Sequence, residues 1–156
     1  MLEILTGNYA YRILGLIRGA SKSIRILSYV MNFNMYKRSD KASIIFFALA
    51  KFASDKGSVE IVLDYPRAHK PNYNCNKFSS RRLLERGIAI RFLKKGTSQH
   101  AKLFLFDSSI AVTGSHNLTR SSVINNYDIS VLLDSQKEVA TLDDLFTVLW
   151  SESIEV

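Results

Sequence analysis

The chain is poor in cysteine, proline and histidine for its 156 residues. A single cysteine, Cys75, excludes an intrachain disulfide and a cysteine-rich metal cluster. The three histidines, His69, His100 and His116, have spacings unlike those of a zinc site. We therefore predict that the protein needs neither a metal nor another cofactor.

Long apolar runs are also missing. The longest uncharged stretch, residues 108–119, has twelve residues and includes several polar ones, whereas a membrane-spanning helix needs about 20 apolar residues. The first residues lack a basic segment followed by an apolar stretch and a small-residue cleavage site. These absences predict no membrane span, no secretory signal, no stable membrane association and a cytoplasmic location.

The overall composition is that of one ordinary globular unit. Hydrophobic residues make up 47% of the chain and charged residues 22%, and neither a repeat nor a low-complexity segment or linker interrupts it. A chain of this length can bury about 68–70% of its unfolded surface in one core. We predict a single domain over residues 1–156.

Positive charge exceeds negative charge. Twenty-one Lys and Arg against fourteen Asp and Glu leave a formal charge of +7, with a pI near 9.6. Such a balance favours polyanionic partners, with nucleic acid first and an anionic membrane surface second. Six basic residues either line a backbone-binding surface or are simply solvated: Arg81, Arg82, Arg86, Lys94, Lys95 and Arg120.

Hydrophobic periodicity predicts alternating helices and strands. The predicted helices cover residues 8–20, a segment capped by Asp40 and ending near Gly57, a segment from Ser79 or Ser80 to Arg86, and an amphipathic helix behind a capping box at Ser135 and Glu138. The predicted strands cover residues 23–31, 58–64, 88–93, 100–106, 110–113 and 128–133. Residues 65–77, with both prolines, predict an exposed loop. The sum is an α/β fold with a mixed β-sheet flanked by helices on both faces.

The stretch from His100 to Asn117 carries the clearest chemical pattern. Side chains at i and i+2 of a strand share a face, so His100 and Lys102 are expected to project together, roughly 6.5 to 7 Å apart along the chain. One phosphoryl group fits between two side chains at that distance. The turn that follows offers a hydroxyl at Ser115 and an amide at Asn117, both donors suited to phosphate oxygens. The pattern indicates phosphodiester chemistry.

The same stretch resembles the signature His-x-Lys-x4-Asp-x6-Gly-Ser-x-Asn of the phospholipase D superfamily, and each fixed position of that signature is filled here. Members normally bring two such motifs to one active site, but this chain has one. The resemblance therefore implies a homodimer with a composite site on its two-fold axis. In this organisation the chain is similar to small metal-independent bacterial endonucleases and to the catalytic domains of some restriction enzymes.

The resemblance also implies roles for individual residues. One His100 attacks phosphorus to form a phosphohistidine, and the second His100 protonates the departing oxygen. Lys102, Asn117 and Ser115 bind the phosphoryl oxygens. Asp128 lies where relatives often carry a carboxylate that accepts a hydrogen bond from the catalytic histidine, although a polar residue opening a strand is the alternative.

Two further motif positions are expected to be structural. Strand alternation turns Asp107 away from His100 and Lys102, and relatives use this position as a fold-stabilising carboxylate. Gly114 is expected to permit a backbone conformation or a close approach that a side chain would obstruct.

The leading hypothesis is a metal-independent phosphodiesterase, an endonuclease that cleaves DNA or RNA through a phosphohistidine. One alternative is a phospholipase D-type hydrolase or transferase acting on phospholipids. The other is a nucleic-acid-binding module without turnover, which would bind tightly and with salt dependence but would not cleave.

Overall fold

The computed structural model describes residues 1–32, 41–65, 70–93, 96 and 98–156. Several predicted features lie outside the described residues: the cap at Asp40, the loop histidine His69, and Lys94 and Lys95 of the predicted basic surface.

Within the described ranges the chain forms ten strands and four α-helices. The strands are Leu2–Leu5 (β1), Ser23–Ser28 (β2), Met31–Asn32 (β3), Ser58–Leu63 (β4), Ala89–Leu93 (β5), Leu103–Phe106 (β6), Ile110–Gly114 (β7), Leu118–Thr119 (β8), Ser130–Leu133 (β9) and Ser153–Glu155 (β10). The helices are Tyr9–Gly19 (α1), Lys41–Asp55 (α2), Lys70–Leu84 (α3) and Gln136–Glu152 (α4), with a short π-helical turn at Ser121–Asn125.

Eight of the described strands form one mixed sheet, in the order β1-β9-β7-β6-β2-β4-β5-β10. Strands β2, β4 and β5 are parallel neighbours, while β6, β7, β9 and β1 pair antiparallel. Strands β3 and β8 form a separate parallel pair. The parallel strands are linked through helices, as parallel pairing requires.

Alternation along the strands fills a hydrophobic core on each face of the sheet. Phe104 and Phe106 of β6 belong to the larger core, which includes residues of α1 and α2. Leu103 and Leu105 belong to a second core, which includes Val139 and Phe146 of α4. Complete burial of such a side chain is worth about 1.5–3 kcal/mol. These two cores confirm the predicted mixed sheet with helices on both faces.

The main difference from prediction is the beginning of α3. Residues 70–77, expected to be part of a loop, are helical. Pro71 is compatible with this because a first helical turn tolerates a missing N–H. Asn76 is fully buried, and its side chain bonds the backbone of Met31, Tyr29 and Asp64. These tertiary contacts outweigh the low helix propensity of asparagine.

Two boundaries also differ in detail. Strand β6 begins at Leu103, so His100 and Lys102 lie in an irregular segment just before it. Ser135 is the N-cap of α4 as predicted, but its hydroxyl bonds the Glu138 carboxylate rather than a backbone N–H.

Several strand ends meet at one edge of the sheet, which we name the upper edge. The last residues of β2 and β4 pair there, and Leu27 of β2 pairs with Leu103 at the start of β6. Gly114 at the end of β7 pairs with Ser130 at the start of β9. The segments beside these ends, residues 29–31, 64–65, 98–102, 115–117 and 128–129, therefore share the upper edge.

Candidate active site

His100 and Lys102 contact each other at the upper edge. The Nζ atom of Lys102 lies 3.0 Å from Nδ1 of His100 and donates to the His100 carbonyl at 2.6 Å. His100 is exposed, whereas Lys102 is only 8% exposed. The two side chains thus project together, although the segment that carries them is not a regular strand.

The Lys102 ammonium lies in a partly desolvated place. Burial lowers the pKa of Lys102, and the charge of Asp128 offsets only part of this effect. Tyr29 supplies an aromatic surface, with its ring centroid 4.7 Å from that of His100 and 5.4 Å from the Lys102 Nζ atom. A cation over a ring face is stabilised by about 0.5–2 kcal/mol. Tyr29 therefore supports both residues of the pair.

Gly114 occupies a place where the chain has no room for a side chain. A Cβ atom there would lie 2.3 Å from the Ile129 carbonyl oxygen and 2.4 Å from the Ser130 Cα. The Gly114 N–H also donates to the Lys102 carbonyl at 3.3 Å. The close approach of β7 and β9 thus requires glycine and couples the turn to Lys102.

Asp128 differs from prediction in its partners. The Ser115 hydroxyl donates to one carboxylate oxygen at 2.6 Å and the Ser122 hydroxyl to the other. Within the described part of the chain, no hydrogen bond joins His100 to Asp128, and Nδ1 of His100 lies against Lys102 instead. Burial raises the pKa of Asp128, but these hydroxyl bonds and the charge of His116 outweigh it, so the net shift is downward.

The two predicted phosphate donors are engaged differently. The Ser115 hydroxyl donates to Asp128 and also accepts from the Ile129 N–H at 3.0 Å. Asn117 accepts a long bond from the Val30 N–H through Oδ1, and no described residue pairs with its Nδ2 group. Asn117 therefore has a donor left for a ligand oxygen, whereas Ser115 serves Asp128.

His116, the variable residue of the Gly-Ser-x-Asn turn, lies inside the protein. It is 5% exposed, stacks on Tyr9 of α1 with ring centroids 3.8 Å apart, and its Nδ1 lies 2.8 Å from the Ser130 hydroxyl. Burial lowers its pKa, against the opposing charge of Asp128. His116 thus ties the turn to α1 and β9.

Asp107 lies at the opposite edge of the sheet. Its carboxylate accepts from the backbone N–H groups of Ser21, Lys22 and Ser23 at 2.8–2.9 Å, and its φ is 53° in the turn between β6 and β7. Burial raises the pKa of Asp107, but the backbone hydrogen bonds outweigh it and the net shift is downward. Asp107 binds the segment before β2 and does not contact His100.

Three residues that sequence reasoning missed support the site: Tyr29, Ser122 and Asp64. Tyr29 and Asp64 directly follow the parallel strands β2 and β4. Because polar groups beyond the carboxyl ends of parallel strands often form a site, their position was a usable signal. Ser122, on the π-helical turn, carried no such signal.

The predicted basic surface is only partly associated with the site. Arg82 lies over the Phe78 ring at 4.7 Å and Arg86 over the Phe46 ring at 5.6 Å, so both pack on aromatic side chains of the helices. Arg81 and Arg120 are exposed. No contact of these four with His100 or Lys102 is seen in the described part of the chain.

The described residues contain neither a metal-ligand cluster nor a membrane-spanning helix. No group of three His, Cys, Asp or Glu side chains there is arranged to hold a metal ion. None of the described helices combines the length and apolar character needed to pass through a bilayer.

Sequence comparison identifies the family to which the chain belongs. Residues 13–150 match the family model described as cardiolipin synthase, PLD-like domain, and the chain belongs to the phospholipase D superfamily of phosphodiesterases. It is also similar to the mitochondrial cardiolipin hydrolase of Chlamydomonas reinhardtii, with 30% identity over 92 residues. That match covers 59% of this chain and 39% of the relative, so the chain spans well under half of the relative's length.

Solved structures agree on the fold. Nuc from Salmonella typhimurium, a phospholipase D family member, superimposes with a TM-score of 0.81 at 19% identity, over 100% of this chain and 97% of that one. NucT from Helicobacter pylori gives 0.79 at 18% identity, over 100% and 99% of the two chains. The phosphatidylserine synthase of Haemophilus influenzae gives 0.78 at 14% identity, over 99% of this chain and 40% of that one. These likenesses confirm the predicted fold class.

Proposed function

We propose that the protein is a metal-independent endonuclease, which cleaves DNA or RNA at a composite active site formed by two copies of the chain. One observation carries the proposal: an exposed His100 whose Nδ1 lies 3.0 Å from the Nζ atom of a nearly buried Lys102. A nucleophilic imidazole beside a fixed ammonium suits attack on a phosphodiester, because the ammonium offsets the negative charge that develops on the phosphoryl oxygens.

The reaction divides between the two histidines. Nε2 of one His100 attacks phosphorus, the bond from phosphorus to the departing oxygen breaks, and Nε2–H of the second His100 donates its proton to that oxygen. Water, activated by the second His100, then hydrolyses the phosphohistidine. General acid catalysis of this kind supplies about 10²–10⁴-fold. Lys102 and the Nδ2 group of Asn117 stabilise the charge that develops on the phosphoryl oxygens.

A second copy of the chain is needed because one chain carries one motif. The surface beside Asp128 supports this pairing: Tyr127 is fully exposed and Ile129 is 59% exposed. Neighbouring exposed apolar side chains next to a charged site are typical of an interface. We propose that a two-fold contact at this surface forms the composite site that contains both His100 side chains.

Nucleic acid is the favoured substrate because the chain carries a net charge of +7. Lys and Arg side chains that neutralise the phosphates of a nucleic acid release its bound counterions, and this release favours binding. The small size of the chain and its single motif also resemble the organisation of small endonucleases.

The test is cleavage of labelled single- and double-stranded DNA and RNA in excess EDTA, with wild type and His100→Ala. We expect the substitution to abolish cleavage, since it removes both the nucleophile and the general acid. Gln136→Ala, at an exposed and uncharged position at the start of α4, is the control. Full activity of His100→Ala would contradict the mechanism.

A phospholipid substrate is the second candidate, favoured by the similarity to a mitochondrial cardiolipin hydrolase. Vesicles containing cardiolipin, assayed for release of phosphatidate with the same variants, test it. Lipid hydrolysis that depends on His100, without cleavage of any nucleic acid, would establish this candidate instead. Salt-dependent nucleic-acid binding with no turnover on either substrate would establish the binding-module alternative.

A further inference from the structure

Asp64 is a buried carboxylate next to the candidate nucleophile that the mechanism above does not use. It directly follows β4 and is 2% exposed. Its Oδ1 accepts a hydrogen bond of 2.7 Å from the backbone N–H of Gln99, the residue before His100. The Ser98 side chain also bonds the Asp64 carboxylate. Asp64 thus holds the backbone in place immediately before His100.

His100 needs such a contact because it lies before β6, outside the hydrogen-bonded strands of the sheet. Residues 98–102 have no regular structure, and side chains hold them instead. Lys102 donates to the His100 carbonyl, and the Tyr29 ring lies against the imidazole. Among the described residues the side chain of Gln99 has no hydrogen-bond partner, although both of its amide atoms are buried. Asp64 is therefore the anchor on the N-terminal side of His100.

Asp64 and Tyr29 belong to one hydrogen-bonded unit. The Nδ2 group of Asn76 donates to the Asp64 carbonyl at 3.1 Å and to the Tyr29 carbonyl at 3.0 Å. The Asp64 N–H donates to the Ser28 carbonyl at the end of β2. The carboxylate that fixes the peptide and the ring that supports the imidazole are consequently held by the same two strand ends.

The charge of Asp64 acts on His100 as well. Burial raises the pKa of Asp64, while hydrogen bonds from Gln99 and Ser98 and the charge of His100 offset part of this shift. The other charged group that faces His100 among the described residues is Lys102, a cation. Asp128 acts on Lys102 and His116. Asp64 thus places a negative charge close enough to His100 for the two groups to interact electrostatically.

We infer that Asp64 is the positioning residue of His100: it fixes the Gln99–His100 peptide, and its charge stabilises the imidazole when that ring is cationic. The ring is cationic twice in the proposed function, on which this inference rests. The imidazole is cationic in the His100 that carries the proton for the departing oxygen, and again in the His100 that has bonded to phosphorus.

Two substitutions separate the two contributions. Asp64→Asn keeps an oxygen acceptor for the Gln99 N–H and removes the charge, whereas Asp64→Ala removes both. We expect kcat on bis(p-nitrophenyl) phosphate to fall about 10-fold in the first and about 100-fold in the second, with KM changed less than about twofold. Glu60→Gln is the matched control, because it removes one carboxylate from β4, the strand that ends just before Asp64.

A second readout does not need turnover. Hydrogen exchange of the Gln99 amide, followed by NMR, is expected to be slow in wild type and in Asp64→Asn and at least about 10-fold faster in Asp64→Ala. If wild type cleaves no phosphodiester, the proposed function fails, while this exchange still reports whether Asp64 holds the peptide. If Asp64→Ala does not fold, Asp64→Asn decides through its kcat.

The outcomes that overturn the inference are specific. A folded Asp64→Asn with the kcat of wild type would remove the role of the charge. Equal losses of kcat in the two variants, or slow Gln99 exchange in Asp64→Ala, would remove the role of the hydrogen bond.

Discussion

The carboxylates of Asp107 and Asp128 are both surrounded by donors, but of different kinds. Asp107 receives three backbone N–H groups and the Ser21 hydroxyl from one continuous segment. Asp128 receives side-chain donors, from the hydroxyl groups of Ser115 and Ser122 and from the side chain of Asn126. Backbone donors cannot turn away without moving the chain, whereas hydroxyl groups rotate to suit a new partner. Asp107 is thus suited to stability and Asp128 to a site whose hydrogen bonds change during a reaction.

This contrast predicts a pH-dependent loss of stability in Asp107→Asn. The pKa of Asp107 is held below its usual value, so its stabilisation is complete above the unfolded-state pKa of about 3.9 and is lost as pH falls through the lower folded value. We expect the variant to lose about 1–3 kcal/mol of unfolding free energy at pH 7. Urea unfolding at pH 7 and near pH 2 would measure the difference.

Asp144→Asn, at an exposed position on α4, is the control and is expected to unfold like wild type. A deficit in Asp107→Asn of the same size at both pH values would show that shape, rather than the charge on Asp107, matters.

Pairing of β7 with β9 depends on the absence of a side chain at Gly114. The predicted consequence is that Gly114→Ala destabilises the protein by about 1–3 kcal/mol or more through overpacking, and that it lowers activity because the turn at residues 115–117 moves. Thermal unfolding and the cleavage assay measure the two effects.

Gly15 provides the matched control within α1. A Cβ atom there meets nothing within 4 Å, so Gly15→Ala is expected to stabilise the protein by about 0.5–1 kcal/mol through helix propensity. Similar behaviour of the two alanine variants would refute the close-approach argument.

Elements with strong periodicity could be predicted from sequence, and the others could not. Helix α1 and strand β4 carry clear apolar patterns, and their observed bounds lie within a residue or two of the prediction. Two-residue strands such as β3 and β8 are too short to show a period. The first half of α3 is polar and contains proline, and contacts of Asn76 with distant backbone hold it in place.

The same division applies to the site. Proximity of His100 and Lys102 follows from spacing along the chain, which a sequence displays directly. The contacts of Asp64 with Gln99, and of Tyr29 with His100, join residues 35 and 71 positions apart. Such contacts depend on which strands become neighbours. The hydroxyl partners of Asp128 could not be predicted for a related reason, since Ser122 lies on the π-helical turn, which has no clear signal in the sequence.

Association of two chains can be tested by the patch beside Asp128. Ile129→Asp places a charge on an exposed apolar position and leaves the His100–Lys102 contact unchanged. If the proposed composite site is correct, sedimentation velocity will show a dimer for wild type and a monomer for this variant. Cleavage in the assay above should then fall at least about 100-fold, because a lone half-site lacks the second histidine.

Leu145→Asp is the control, since Leu145 is also partly exposed, at 42%, but lies on α4. A fully active monomer of Ile129→Asp would contradict the composite site, and a dimer that persists would place the interface elsewhere.

The pairing of β1 with β9 affects the order in which the parts of the site form during folding. Strand β1 precedes the other described strands along the chain, yet Leu2 pairs with Leu133 of β9. Closing so long a loop is entropically slow, and β9 also has to emerge before Asp128 can take up its hydroxyl partners. A growing chain therefore carries His100 and Lys102 for some time without the neighbouring turn secured. The turn that contains Ser115 and Asn117 therefore takes its final form only after β9 has been synthesised.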